Sequence, residues 1–163
     1  MNNVWEIAIN MENEGIEFYT QLANKTENEE LGGVFKFLAS QEVEHKNFFE
    51  SLNHCVAANF TEKQDAVTMA KRVFKKIAPQ FKDSDQMKNA VDAYKKAITF
   101  ENNAIKYYST LVEKAETEKQ KKIIRVIINE EKKHAVTLDY LIDFVNRPNE
   151  WLEDAEINHS DEY

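Results

Sequence analysis

Hydrophobic side chains recur every three or four residues along four long segments, which is the spacing of one face of an α-helix. The first stripe runs from Val4 to Leu22, the second segment covers Glu29–Asn53, the third begins near Asp85, and the fourth covers Thr117–Val145. The chain has only three glycines and two prolines, so little within these segments interrupts a helix. The pattern predicts an all-α protein with four long amphipathic helices.

The lengths of the connections predict how these helices are arranged. Residues 24–30 and 113–119 are short polar turns, so we expect helices 1 and 2, and likewise helices 3 and 4, to form antiparallel hairpins. Residues 55–85 form a longer crossover between the hairpins, in which residues 65–77 have the pattern of a further helix.

Pro148 is expected to end the fourth helix. The sequence therefore predicts one bundle domain over residues 1–147, followed by an acidic C-terminal tail over residues 148–163. A chain of 163 residues is long enough for a single domain with a substantial core.

Charge and cysteine content exclude several classes of function. The net charge is −8 and no basic stretch offsets it, which argues against a nucleic-acid partner or an anionic membrane surface. The chain has no apolar run long enough to span a membrane, and its start lacks the pattern of a signal peptide. Cys55 is the only cysteine, which excludes an internal disulfide and a cysteine-rich metal module. We therefore expect a soluble cytoplasmic protein.

The two predicted hairpins are copies of one another. Residues 8–52 align with residues 97–141 at a constant offset of 89 without a gap, and 13 of the 45 positions are identical. The matches include both members of a Glu-x-x-His pair that occurs once in each hairpin, so the duplication kept that pair. Among the identical pairs are Glu12/Glu101, Tyr19/Tyr108, Glu42/Glu131 and His45/His134.

Four glutamates occupy the predicted apolar stripes, where a bundle helix ordinarily places hydrophobic side chains. Residues three, four and seven positions away share a helix face with each of them, and these neighbours are mostly apolar or aromatic. By the same criterion Glu14 and Glu44 are ordinary surface acids, while Glu130 stays unassigned and has no histidine three residues later. The inward glutamates, one from each helix, are Glu12, Glu42, Glu101 and Glu131.

Four buried carboxylates cannot all stay ionised without compensation, because burying an ionised group is costly. Either they bind protons or cations balance them, and two divalent ions would balance four carboxylates with both imidazoles neutral. In a Glu-x-x-His pair both side chains lie on one helix face, so the carboxylate can bridge two metals while the histidine binds one of them. One glutamate from each of two helices, with Glu-x-x-His from each of the other two, is the ligand pattern of di-iron carboxylate bundles.

The segments "ENEGIEFY", "EVEH", "ENNAIKYY" and "EKKH" resemble the rubrerythrin branch of the ferritin-like superfamily. The resemblance covers roughly residues 3–145, and the tail segment "PNEWLEDAEINH" is similar to the segment after the fourth helix in some members. It implies a ferritin-like four-helix bundle with a centre of two iron ions, for which manganese or zinc could substitute. It also implies that two tyrosines, Tyr19 and Tyr108, hydrogen-bond to ligand carboxylates; the alternative is that they are core tyrosines with other partners. The residues on the family's ligand positions are Glu12, Glu42, His45, Glu101, Glu131 and His134.

Two departures from the family pattern affect the predicted mechanism. Rubrerythrin proper carries a rubredoxin iron site of four cysteines, which one cysteine cannot build, so electrons must come from another protein. The family's third helix usually has an additional metal-site glutamate at the position that is Ala104 here. The ligand exchange associated with that glutamate is therefore not carried over to this chain.

The resemblance implies an oxidoreductase that reduces peroxide, or dioxygen, with electrons from a separate donor protein. We also expect a homodimer with no nucleic-acid or membrane partner. Two alternatives remain open at this point. One is Fe(II) oxidation for iron storage or detoxification, and the other is a non-catalytic metal-binding bundle.

Overall fold

Four long helices account for most of the described chain, and the predicted all-α four-helix bundle is confirmed. The computed structural model of the protein describes residues 3–54, Thr68, Arg72 and residues 84–146. The helices are α1 (Val4–Lys25), α2 (Glu29–Asn53), α3 (Ser84–Lys114) and α4 (Glu118–Asn146). The four predicted starts and the predicted ends of α2 and α4 agree to within a residue, whereas α1 continues three residues beyond the predicted stripe, to Lys25. Apart from Thr68 and Arg72, the predicted crossover helix and the acidic tail with its domain boundary lie outside the described residues.

Side-chain caps determine where the first two helices begin. Asn3 precedes α1, where its side chain accepts a 3.1 Å hydrogen bond from the backbone N–H of Trp5. Its own N–H donates to Glu6 in return at 3.2 Å, which completes a capping box. Asn28 caps α2 by accepting a 3.0 Å bond from the N–H of Leu31. The short turn between these helices therefore supplies the side-chain cap of α2 from its own residues.

The turn between α3 and α4 is closed by reciprocal bonds of the same kind. The side-chain oxygen of Gln120 accepts from the N–H groups of Glu116 and Thr117 at 2.9 and 3.0 Å. The hydroxyl of Thr117 accepts from the N–H of Gln120 at 3.2 Å. α1 packs on α2, and α3 packs on α4, as the two predicted antiparallel hairpins.

The hydrophobic core is divided into two clusters with a polar layer between them. Along α1, Ala8 belongs to one cluster and Tyr19 to the other, and the buried Glu12 lies between them. Along α4, Ile127 and Leu138 belong to different clusters in the same way, and Glu131 and His134 are among the four buried polar side chains between them. The fold therefore seals a polar site from above and below with apolar side chains.

Among the described helices, none combines the length and apolar character that crossing a membrane requires.

Candidate metal centre

Six ionisable side chains meet in the polar layer between the two core clusters. Each helix contributes one glutamate, and α2 and α4 each add a histidine one turn later on the same face. None of the six is more than 3% exposed, so the layer is closed to bulk water. The structure therefore brings together all six residues that the sequence singled out, which are Glu12, Glu42, His45, Glu101, Glu131 and His134.

These side chains form two overlapping groups of four, within each of which the potential ligand atoms lie within 4.8 Å of one another. Glu42 and Glu131 belong to both groups. The first group adds the other two residues of the α1–α2 hairpin, and the second adds those of the α3–α4 hairpin. The groups are Glu12, Glu42, His45 and Glu131, and Glu42, Glu101, Glu131 and His134.

The two shared carboxylates each present one oxygen to each histidine. Glu42 Oε2 lies 3.5 Å from Nδ1 of His45, and its Oε1 lies 3.3 Å from Nδ1 of His134. Glu131 does the same, with its Oε1 3.3 Å from His45 Nδ1 and its Oε2 3.2 Å from His134 Nδ1. A carboxylate that divides its oxygens between two neighbouring ligand groups has the arrangement of a bridge between two metal ions.

The nitrogen–oxygen spacings suit ligands of a common metal ion better than hydrogen bonds. The contacts from the two histidines to carboxylates of their groups span 3.2 to 3.6 Å, with His45 Nδ1 to Glu12 Oε2 the longest. An ordinary N–H···O bond is about 2.9 Å long. Two ligand atoms bound to one metal ion at 2.0–2.2 Å are separated by roughly 2.8 to 3.6 Å, depending on the angle between them. The spacing of the side chains thus fits the donor shell of a metal.

Several buried polar atoms in this layer lack a hydrogen bond, and a metal ion would satisfy them. Among the described residues, no hydrogen-bond partner is found for Glu42 Oε1, Glu101 Oε2, Glu131 Oε1 or His134 Nδ1. Buried polar atoms are nearly always paired, so four such atoms in one layer need an explanation. Carboxylate oxygens and imidazole nitrogens are the donors that iron, manganese and zinc accept. The residues present therefore fit a two-metal centre.

Burial and mutual contacts divide the four carboxyls into two kinds. Burial raises the pKa of Glu12 well above its ordinary value, and burial with the charge of Glu131 raises the pKa of Glu101 to about 8. Burial also opposes ionisation of Glu42 and Glu131, but contacts with the two histidines outweigh it and hold the pKa of both carboxyls below the ordinary value. Burial opposes the charged form of the imidazoles as well, yet the surrounding carboxylates raise the pKa of both.

Two buried tyrosines connect each hairpin to a carboxylate of the other. The hydroxyl of Tyr19 on α1 donates a hydrogen bond to Oε1 of Glu101 on α3. The hydroxyl of Tyr108 on α3 donates to Oε1 of Glu12 on α1. Burial, with the neighbouring carboxylate charge, raises the pKa of both phenols, so both stay protonated as donors. The two bonds fix the orientation of the carboxylates that belong to only one ligand group each.

Gly15 makes room for one of the shared carboxylates, a role that sequence analysis missed. A Cβ atom at this position would lie 3.1 Å from Cγ and 3.3 Å from Cδ of Glu42, closer than neighbouring carbons normally approach. The sequence signal was a glycine one turn after Glu12 on the same face. The repeat-related residue is Ala104, which is buried and lines a small pocket of about 10 Å³ with carboxylates of the site. The remaining walls of that pocket are formed by Met11, Phe100 and Tyr108.

The other acidic and histidine candidates lie outside the two ligand groups. Glu14 is exposed, Glu44 is partly exposed and His54 is exposed at the end of α2. Glu130, which the sequence left unassigned, is buried, but its carboxylate accepts a 3.0 Å bond from the amine of Lys133 on its own helix. A buried glutamate next to Glu131 therefore has an ordinary ion-pair partner.

A comparison with protein families agrees with the resemblance seen in the sequence. The family model described as Rubrerythrin matches residues 3–142, and a second match to it covers residues 92–160. No curated protein and no solved structure matches the chain.

Proposed function

Because the chain belongs to the rubrerythrin family, we propose that it is a non-haem di-iron oxidoreductase that reduces peroxide, or dioxygen, with electrons from a separate donor protein. One observation carries this proposal. Two groups of buried ligands share Glu42 and Glu131, and each of these carboxylates presents one oxygen to each group. A centre of two metal ions uses that arrangement, whereas a single-metal site has no need of it.

Each ligand has a specific role in this proposal. Glu42 and Glu131 would hold both ions, and the remaining four side chains would be terminal ligands, two for each ion. Iron fits these oxygen and nitrogen donors, and manganese or zinc could substitute for it. When bound, two iron ions supply two electrons and positions for both oxygens of a peroxide. The terminal ligands are Glu12 and His45 in one group, and Glu101 and His134 in the other.

The surrounding side chains restrict what reaches the centre. Tyr19 and Tyr108 hold the terminal carboxylates in place, and the apolar clusters above and below exclude bulk water. The small pocket beside Ala104 has about the volume that one water molecule needs, so a large substrate cannot enter it without movement of the lining side chains.

The proposal includes a separate electron donor, because the single Cys55 cannot build a four-cysteine iron site. It also includes a cytoplasmic homodimer without nucleic-acid or membrane partners, in keeping with the net charge of −8.

Metal analysis combined with a peroxide-consumption assay tests the proposal. The iron-loaded protein should contain two ions per chain and should consume hydrogen peroxide when a chemical reductant is supplied. Glu131→Gln removes a bridging ligand and should lower the content of both ions together. Glu130→Gln is the matched control, because that neighbouring buried carboxylate pairs with Lys133 and should not be needed for metal.

The same samples separate the proposed function from its two rivals. Peroxide turnover that continues for many cycles supports the proposed reductase. Iron(II) oxidation followed by retention of iron far above two ions per chain would instead indicate a storage or detoxification function. Stable metal binding without either reaction would indicate a non-catalytic bundle, and full metal content in Glu131→Gln would refute the assigned centre.

A further inference from the structure

The small pocket beside Ala104 lies between α1 and α3 and borders one of the two ligand groups. Its wall includes the three carboxylates of the first group, which are Glu12, Glu42 and Glu131. From the second group it contacts only the two carboxylates that both groups share. A molecule in this pocket would therefore meet the ion held by Glu12 and His45 before it met the other ion.

The repeat-related half of this seam between α1 and α3, around Gly15, is filled by side chains. The space beside the glycine is occupied by Glu42, whose Cγ would lie 3.1 Å from an added Cβ. Phe18, one turn after the glycine, stacks on Phe100 with ring centroids 4.4 Å apart and planes inclined by 10°. The residue that corresponds to Phe18 at the offset of 89 is Tyr107, which is instead 43% exposed. The half of the seam with the pocket is therefore the more open one.

Most side chains around the pocket are held in place by specific contacts. Glu12 accepts a hydrogen bond from the hydroxyl of Tyr108, whose ring also stacks on Phe49 with centroids 6.1 Å apart. Phe100 is fixed by its stack on Phe18. The shared carboxylates are held by their contacts with the two histidines. None of these side chains can move aside without losing a polar contact or separating stacked rings.

Met11 is the wall residue with the greatest torsional freedom. Its side chain is unbranched, rotates about three single bonds and adapts to gaps in the packing. It is half-buried and packs on the core cluster that contains Ala8 and Tyr108, so part of it faces solvent while another part lines the pocket. A rotation of this one side chain would connect the pocket with solvent and leave the ligands in position.

We propose that Met11 is a gate that admits hydrogen peroxide and other small molecules to the ion held by Glu12 and His45, and that excludes organic hydroperoxides with bulky carbon groups. The inference rests on the proposed function, because it specifies which peroxides reach that centre. The pocket of about 10 Å³ has room for roughly one water molecule. Hydrogen peroxide is only slightly larger, so a rotation of the Met11 side chain is enough to admit it. A branched organic peroxide would also require movement of the fixed walls.

Binding of nitric oxide tests the gate without turnover. The protein is loaded with iron(II) under exclusion of oxygen and mixed with nitric oxide, which is as small as dioxygen, and the rate of the absorbance change on binding is measured. Met11→Ala removes the gate and should speed binding severalfold. Met11→Phe introduces the residue type that the repeat has at Phe100, and should slow binding severalfold because the ring is bulkier and has fewer rotatable bonds.

Size selection is tested in a single turnover. The iron(II)-loaded protein is mixed separately with hydrogen peroxide and with tert-butyl hydroperoxide, and the rate at which the centre is oxidised is followed by absorbance. Two electrons from the centre and two protons from solvent convert the first peroxide into water, and the second into water and tert-butanol. The wild-type protein should react much faster with hydrogen peroxide, and Met11→Ala should reduce that preference severalfold. Met11→Leu, which has a similar volume, should keep most of the preference.

Ile7→Ala is the matched control for a general effect on packing. Ile7 lies one turn before Met11 on α1, is half-buried and packs on the same core cluster, but it lines a different surface pocket, next to Trp5. This variant should leave the nitric oxide rate and the peroxide preference at the wild-type values. Metal content and melting temperature are measured for every variant, and Met11→Phe and Met11→Leu carry the test if Met11→Ala loses its metal.

The results separate the gate from the proposed function. Equal nitric oxide rates in the wild type and the Met11 variants would overturn the gate, and so would changes of the same size in Ile7→Ala. A peroxide preference that Met11→Ala leaves unchanged would overturn the size selection. Failure of both peroxides to oxidise the wild-type centre would overturn the proposed function instead, and the nitric oxide comparison would still decide whether Met11 controls access to the metal.

Discussion

Loading the metal-free protein with two divalent ions should release protons in a number that the geometry of the site determines. Burial raises the pKa of Glu12 well above its ordinary value and that of Glu101 to about 8, so both are protonated at neutral pH. Contacts with the two imidazoles keep Glu42 and Glu131 ionised, and the imidazoles carry their second proton because their pKa is raised. Two negative and two positive charges cancel, so the metal-free layer is neutral.

Metal binding replaces these protons. All four carboxylates and both imidazoles must bind the ions in their deprotonated forms, and four carboxylates then balance two divalent ions. Two glutamic acids and two imidazolium groups each lose one proton, which gives about four protons for each pair of ions at pH 7. The number should fall as the pH is raised past about 8, because Glu101 is then already ionised before metal is added.

Calorimetric titration in several buffers measures this number directly. The apparent enthalpy of Mn(II) or Zn(II) binding varies linearly with the ionisation enthalpy of the buffer, and the slope is the number of protons released. Glu130→Gln should give the same slope as the wild type, because Glu130 lies outside both ligand groups. A release of one proton or none at pH 7, with two ions bound, would refute the assigned protonation states and with them the role of the imidazole contacts.

Three further predictions follow from the same site. The melting temperature of metal-free protein should fall as the pH rises from 4.5 towards 8, because over this range Glu101 ionises in the unfolded chain but stays protonated in the folded one. A shift of the Glu101 pKa from 4.5 to about 8 corresponds to a loss of up to roughly 5 kcal/mol in the free energy of unfolding. A melting temperature that does not change with pH would contradict this prediction. Gly15→Ala should weaken metal affinity, because the added Cβ would press on Glu42. Gly33→Ala is the control, because its Cβ meets nothing within 4 Å; it should leave affinity unchanged and stabilise α2 by up to about 1 kcal/mol. Equal affinities of the two glycine variants in a competition titration would count against the close approach. Ala104→Glu should add a carboxylate beside the ligands and lower the reduction potential of the iron-loaded centre in a redox titration, and an unchanged potential would show that this position does not act on the metal.

The ligand residues could be found in the sequence because each departs from its own helix. A glutamate on an apolar stripe is unusual within its own helix, so it can be recognised without knowing how the helices pack. The internal repeat shows the same unusual glutamates in both hairpins. The contacts between helices could not be predicted from the sequence in the same way. The approach of Gly15 to Glu42 and the stacking of Phe49 on Trp5 depend on the distance and rotation of α2 relative to α1, which a periodic pattern leaves undetermined.

The burial of Glu130 is a second feature that the sequence pattern did not predict. Its burial results from the width of the covered face of α4, whereas the sequence specifies only the centre of that face. Its partner Lys133 lies three residues along the same helix, so the pair satisfies itself without any other element.

The division of the ligand groups between the hairpins has a consequence for the history of the chain. Each group of four takes three side chains from one hairpin and its last, Glu131 or Glu42, from the other, so a single hairpin can complete neither group. A half-length ancestor could have built this site only by pairing with a second copy of itself about a two-fold axis. Joining the copies in one chain replaced an encounter between molecules by an internal contact of high effective concentration, independent of how much protein the cell makes. It also allowed the two halves to differ, so that one half now has Gly15 where the other has Ala104.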